Sequence, residues 1–169
     1  MRLMDLTEAT KKGTYAGVRF SDDTVKMLRK FAKDHKIPNR VPHKKFHSTV
    51  LFSRKYLPDY KPAGEYEEAL VGKPTKFELW PSQPDEDGNV SQCLVLCYKC
   101  PELEARHKEL MNKHEATYDF PQYKTHVTLS YNVGDDFDLD KLKVSDIDDL
   151  QIANEYSEEL NLTWAKDNT

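Results

Sequence analysis

Short apolar runs alternate with amphipathic stretches along the first half of this chain. Tyr15–Phe20 reads as a strand. Ser21 follows as a helix N-cap with Asp22 and Asp23 in the first turn, and Val25, Leu28, Phe31 and Ala32 recur at helical spacing. This helix is expected to stop near Lys36, ahead of Pro38. A loop with Pro42 leads into Phe46–Phe52, whose apolar, β-branched character predicts a buried strand. Residues 54–64 carry two prolines and read as loop; Glu67–Val71 and Lys76–Trp80 read as two strands. Asp85–Asn89 is a turn, which predicts a hairpin of Phe77–Trp80 with Val90–Tyr98.

The opening pattern then returns. Cys93–Tyr98 is a strand; Pro101, Glu102 and Glu104 open a helix through about Tyr118 along Leu103, Leu110 and Met111. A loop with Pro121 leads into a strand at Thr125–Tyr131. An acidic stretch, residues 135–149, precedes a last strand-like run with Tyr156, Leu160, Leu162 and Trp164. Two strand–helix–strand units therefore follow one another, and the second strand of each carries a His-x-Thr triplet and then an aliphatic residue. The expected fold is α+β, one domain over residues 1–169 with two lobes, about 13–80 and 90–165, and antiparallel sheets around a central cleft.

In a strand, residues i and i+2 share a face. His47 projects with Thr49, and His126 with Thr128. Two imidazoles facing each other can exchange acid and base roles near neutral pH, while two hydroxyls donate to the oxygens of a phosphate between them. A lone His-x-Thr is common and is usually structural. Its repetition at the same place in two units, on otherwise apolar strands, points to chemistry.

Composition narrows the partners. The chain has 169 residues and a formal charge of −4, which argues against a general duplex-binding protein. No apolar run approaches the ~20 residues of a membrane span. The first twelve residues lack the apolar stretch of a secretory signal. Cys93, Cys97 and Cys100 lie in or beside an apolar strand and read as buried free thiols, hence an intracellular, cytoplasmic protein. No His-Glu-x-x-His spacing, phosphate-cradling glycine loop or EF-hand pattern is present, so no metal or cofactor is expected. Tyr15 and the two tryptophans offer faces on which nucleobases stack. Lys124, Arg54 and Lys55 flank the triplets as cations, and His35, His43, His107 and His114 are expected at the solvated surface.

His47-Ser-Thr-Val50 and His126-Val-Thr-Leu129 resemble the twin motifs of the 2H phosphoesterase superfamily. Within it the chain looks most like the phage anti-CBASS cyclic-oligonucleotide phosphodiesterases. Tyr15 in Gly13–Ser21, Phe77-Glu-Leu-Trp80 and Glu155–Trp164 extend the resemblance from about Tyr15 to Trp164. It implies cleavage of the 3′–5′ linkages of cyclic di- or trinucleotide defence signals, such as 3′,3′-cGAMP, in the host cytoplasm. It carries over His47, Thr49, His126 and Thr128 as the catalytic set, and Tyr15, Trp80, Glu158 and Trp164 as substrate-binding residues. Glu155, Glu158 and Glu159 stand close together, and the choice among them is open at this stage. Other readings are a 2′–5′ or 2′,3′-cyclic phosphodiesterase on RNA ends, and a non-catalytic sponge for cyclic nucleotides.

Overall fold

A computed structural model of the chain describes residues 12–161, with side chains for residues 13–158. Its elements are β1 (Lys12–Phe20), α1 (Asp22–Asp34), β2 (His47–Ser53), β3 (Gly64–Pro81), β4 (Gln92–Lys99), α2 (Pro101–Lys113), β5 (His126–Ser130) and β6 (Leu150–Asn161). The fold is mixed α+β: a six-strand antiparallel sheet, in the order β2-β1-β6-β3-β4-β5, with two helices. Among the described residues no helix is long and apolar enough to cross a membrane.

The helices begin where the capping residues predict. Ser21 Oγ accepts from the Thr24 amide, and Pro101 occupies the first turn of α2. α1 buries Leu28, Phe31 and Ala32, and Phe31 stacks on Phe77 of β3 with ring centroids 5.4 Å apart. α2 ends at Lys113 rather than near Tyr118. It buries Leu103, His107 and Leu110, which lie on one helical stripe.

The middle of the chain departs from expectation. In place of two strands, β3 runs unbroken through Gly64–Pro81 and serves two partners. Its first part pairs with β6 through Gly72↔Leu150, and its second with β4 from Lys73↔Lys99 onward. Pro74 lacks an amide donor, and the register slips between Pro74 and Lys76, where a broken ladder tolerates it. The expected hairpin turn is present: Asp85 Oδ1 accepts from the amides of Asp87 and Asn89, and Gly88 takes φ +81°. The acidic stretch is a loop with two short 3₁₀ turns leading into β6.

The outermost strands of the order, β2 and β5, come back together. Ser48 Oγ of β2 donates to the His126 carbonyl of β5 at 2.6 Å, and Tyr123 Oη, just ahead of β5, donates to the Thr49 carbonyl at 2.7 Å. The loop before β2 also runs along β5, with the Val41 amide donating to the Leu129 carbonyl. The core between sheet and helices gathers Ala16, Val18, Val50, Leu94, Leu96, Val127, Leu129 and Ile152, all fully buried. Alternate strand residues point away from it and form the polar face that carries both triplets.

Candidate active site

His47 and Thr49 pair with Arg19 and Gly17 across β1, and His126 and Thr128 pair with Cys97 and Val95 across β4. Directly opposed residues of antiparallel strands project to the same face. The polar face is thus built of His47, Thr49, Tyr15 and Arg19 on one side and of His126, Thr128, Glu78 and Trp80 on the other.

The two histidines are anchored alike. His47 Nδ1 lies 2.8 Å from the Lys45 carbonyl, and His126 Nδ1 lies 2.8 Å from the Lys124 carbonyl. A carbonyl only accepts, so Nδ1 carries the hydrogen in both rings and Nε2 is left to take or give a proton. Burial holds His126 below the ordinary histidine pKa; charge on nearby His47 adds to this, while the Lys124 carbonyl and Glu78 oppose it.

Tyr15 stands beside the first triplet. Its hydroxyl is 3.0 Å from Thr49 Oγ1, and its ring meets His47 edge-on at 6.3 Å. Burial pushes the phenol well above its ordinary pKa, so it stays neutral. Tyr156 packs 6.0 Å from Tyr15. Gly17 lets these rings converge: a Cβ there would lie 2.9 Å from the Tyr15 ring and 3.0 Å from that of Tyr156.

Trp80 stands beside the second triplet, its ring 4.3 Å from that of His126. Its indole N–H donates to Glu78 Oε1 at 3.2 Å, and the Cys97 thiol donates to the same oxygen at 3.3 Å. Burial pushes the Glu78 carboxyl up, but Cys97, Trp80, Lys76 and Lys124 together outweigh it and hold it below the ordinary carboxylate value. Burial also pushes the Cys97 thiol up to about 12, so it is an inert S–H donor.

The three glutamates of β6 separate clearly. Glu155 is 2% exposed and belongs to the core side, where Arg106, Tyr60 and the Ala63 amide hold it. Glu158 pairs with Tyr15 across β1 and is exposed on the polar face. Glu159 pairs with Thr14, one position out of phase with Glu158. Trp164 lies outside the described residues.

Several expectations need correction. His107 is buried, not solvated: its Nδ1 donates to the Val50 carbonyl at 2.7 Å, and its ring stacks on Tyr123 at 4.3 Å. β2 is an outer strand, so its outward carbonyls need donors, and His107 and Tyr123 supply them. His35, His43 and His114 lie half-buried at the surface. Arg54 is no free cation beside the first triplet, because Asp119 binds its guanidinium at 2.9 and 3.0 Å. Lys55 leans toward Glu115 at 3.7 Å. Lys124 remains exposed, its Nζ 6.0 Å from the Trp80 ring. Cys97 and Cys100 are buried and Cys93 half-buried, all three as free thiols.

Among the described residues no three ligating side chains converge on a metal position. The sequence reading missed Glu78, Arg19, Tyr156 and Tyr123. Glu78 was legible as the polar member between Lys76 and Trp80 on one strand face, and Arg19 by the same two-residue spacing from Tyr15. A hollow of about 630 Å³ lies elsewhere, between the end of α1 and residues 133–142, and neither triplet lines it.

A family profile described as "Anti-CBASS protein Acb1" matches residues 12–167. The chain belongs to the Acb1 family. Anti-CBASS protein Acb1 of Acinetobacter phage Ac42 is 37% identical over 164 residues, covering 97% of this chain and 99% of that one. Acb1 of Enterobacteria phage T4 is 36% identical over 159 residues, covering 92% and 93%. Acb1 of Salmonella phage S16 is 35% identical over 157 residues, again covering 92% and 93%. The match to the family takes in both triplets, Tyr15, Trp80, Glu158 and Trp164, and it spans every described element of the fold.

Proposed function

We propose that this chain counters CBASS immunity as a metal-independent phosphodiesterase of the 2H type, acting in the cytoplasm of an infected host on cyclic di- or trinucleotides with 3′–5′ linkages. In this reading the β1–α1–β2 and β4–α2–β5 units are the cores of two related lobes, and the cleft between them takes the substrate. The observation that carries the proposal is the matched anchoring of His47 and His126, each with Nδ1 on the carbonyl two residues earlier and a threonine two residues later. Membership in the Acb1 family supplies the biological setting.

The chemistry needs only side chains on the polar face. The lowered pKa of His126 favours its neutral ring, so it serves as the base toward a ribose 2′-hydroxyl. The 2′-oxygen attacks the adjacent phosphorus, the bond to the 5′-oxygen breaks, and His47 in its protonated form delivers a proton to that leaving oxygen. A 2′,3′-cyclic phosphate results, and water opens it with the two roles exchanged. Thr49 and Thr128 donate to the non-bridging oxygens as charge develops. Tyr15 Oη, 3.0 Å from Thr49 Oγ1, holds that hydroxyl in place beside the phosphate. Tyr15, Trp80 and Trp164 stack on bases, and Glu158 accepts from base N–H groups.

The test is incubation with a panel of cyclic di- and trinucleotides in EDTA, with products separated by chromatography. Conversion to linear products is expected. Tightly bound but intact ligand indicates a sponge, conversion of linear RNA ends alone indicates the other phosphodiesterase class, and loss of activity restored by a metal overturns the metal-free mechanism.

A further inference from the structure

Arg19 is a cation of the polar face that the catalytic scheme leaves unused, on the side of the first triplet. It pairs with His47 across β1 and β2, so the two side chains leave the sheet on the same side. The guanidinium carbon sits 3.9 Å from the centroid of the Tyr156 ring, on β6, the strand beyond β1. The side chain is exposed, and among the described residues no carboxylate lies within ion-pair distance of it. Its counterparts Arg54 and Arg106 are both occupied by acids.

An arginine stacked on an aromatic face is held in place while its N–H edges stay open, which suits it to a phosphate rather than to a diffuse field. Across the face, the strands run β5 with His126, β2 with His47, β1 with Arg19 and β6 with Tyr156. The phosphate being cleaved belongs between the two histidines. Tyr156, which holds the Arg19 head group, lies two strands from β2 on the side away from β5, so by strand order Arg19 flanks that position. A cyclic dinucleotide carries its second phosphate on the opposite side of the ribose–phosphate ring.

We propose that Arg19, braced by Tyr156, binds the phosphate that is not being cleaved, and so selects cyclic substrates with two or more phosphates over single linkages. This rests on the phosphodiesterase reading above. The test uses ligands without 2′-hydroxyls, which the mechanism cannot cut: 2′-deoxy cyclic GMP–AMP and the corresponding linear dinucleoside monophosphate, which has one phosphate. Dissociation constants are measured for the wild type, Arg19→Gln and Arg19→Lys; an exposed position lets both variants fold. Arg19→Gln is expected to weaken the cyclic ligand by about 10- to 100-fold, the scale of a charged hydrogen bond, and the linear one by at least five-fold less. Arg19→Lys should fall between, and the wild type should lose affinity for the cyclic ligand with salt more steeply than Arg19→Gln. Equal weakening of both ligands, or no weakening of the cyclic one, overturns the assignment. The wild-type rate on the ribose form of the cyclic ligand, read separately, decides the phosphodiesterase reading whichever way Arg19 behaves.

Discussion

Ser48 Oγ donates to the main-chain carbonyl of His126 at 2.6 Å, so the residue in the middle of one His-x-Thr triplet holds the backbone of the other. Ser48 is itself buried and accepts from Tyr98 Oη at 2.7 Å. A chain of two hydrogen bonds thus runs from β4 through β2 to β5 and closes the gap between the sheet's outer strands. Removing the hydroxyl leaves two buried polar groups unpaired. Ser48→Ala should cost about 1–3 kcal/mol of stability and should lower kcat more than it raises KM, because it moves the histidines relative to each other. Thermal melts and steady-state kinetics on the same preparation check this. Normal kcat in the folded variant contradicts the positioning role.

Trp80 is expected to bind rather than to react. Trp80→Ala should weaken the substrate by about 1–3 kcal/mol, or about 5- to 150-fold in dissociation constant. Saturating substrate should recover much of the rate. A variant with full affinity and a strongly lowered melting temperature would instead mark Trp80 as packing.

Glu78 sets the electrostatic surroundings of the second triplet. Its negative charge favours protonated His126, so it raises that group's pKa against the effect of burial. Glu78→Gln keeps an acceptor for the Trp80 indole and removes the charge. The acidic limb of the kcat/KM profile should move to lower pH, as His126 is then harder to protonate. An unchanged limb, or a shift upward, contradicts the assignment.

The fold's backbone rhythm was legible because caps and apolar spacing are local. Ser21 and Pro101 start helices where expected, and both triplets fall on strands. β3 was misread as two strands because Gly72, Lys73 and Pro74 look like a break, whereas the strand only changes partners there. Burial of His107 was available in the 103, 107, 110 stripe, but a histidine there looks polar until the unpaired carbonyls of β2 are known. Arg54 reads as an open loop cation because Asp119, its partner, lies far along the chain. The tilt of Arg19 toward Tyr156 depends on β6 lying beside β1, a long-range pairing that no local pattern announces.

Buried His107 also predicts acid sensitivity. Desolvation lowers its pKa in the folded chain, with the Val50 carbonyl opposing. The unfolded chain then binds a proton more readily than the folded one. The stability His107 lends is present above the unfolded value of about 6.5 and is lost as pH falls through the lower folded value. His126 acts in the same direction. Melting temperatures from pH 8 to 5 should decline below about pH 6.5, and the His107 ring protons should titrate below that value by NMR. A histidine titrating above 6.5 at this position contradicts the burial account.

In the proposed mechanism His47 and His126 form one acid–base pair. The most direct measurement is single-turnover cleavage of a cyclic dinucleotide in EDTA by the wild type, His47→Ala, His126→Ala and the double variant, with ligand affinity measured in parallel. Each single variant should lose about 10²–10⁴-fold in rate while still binding, and the double should be little slower than the worse single. A near-normal rate in either single variant, or a wild type that binds the ligand and never cuts it, would contradict the claim.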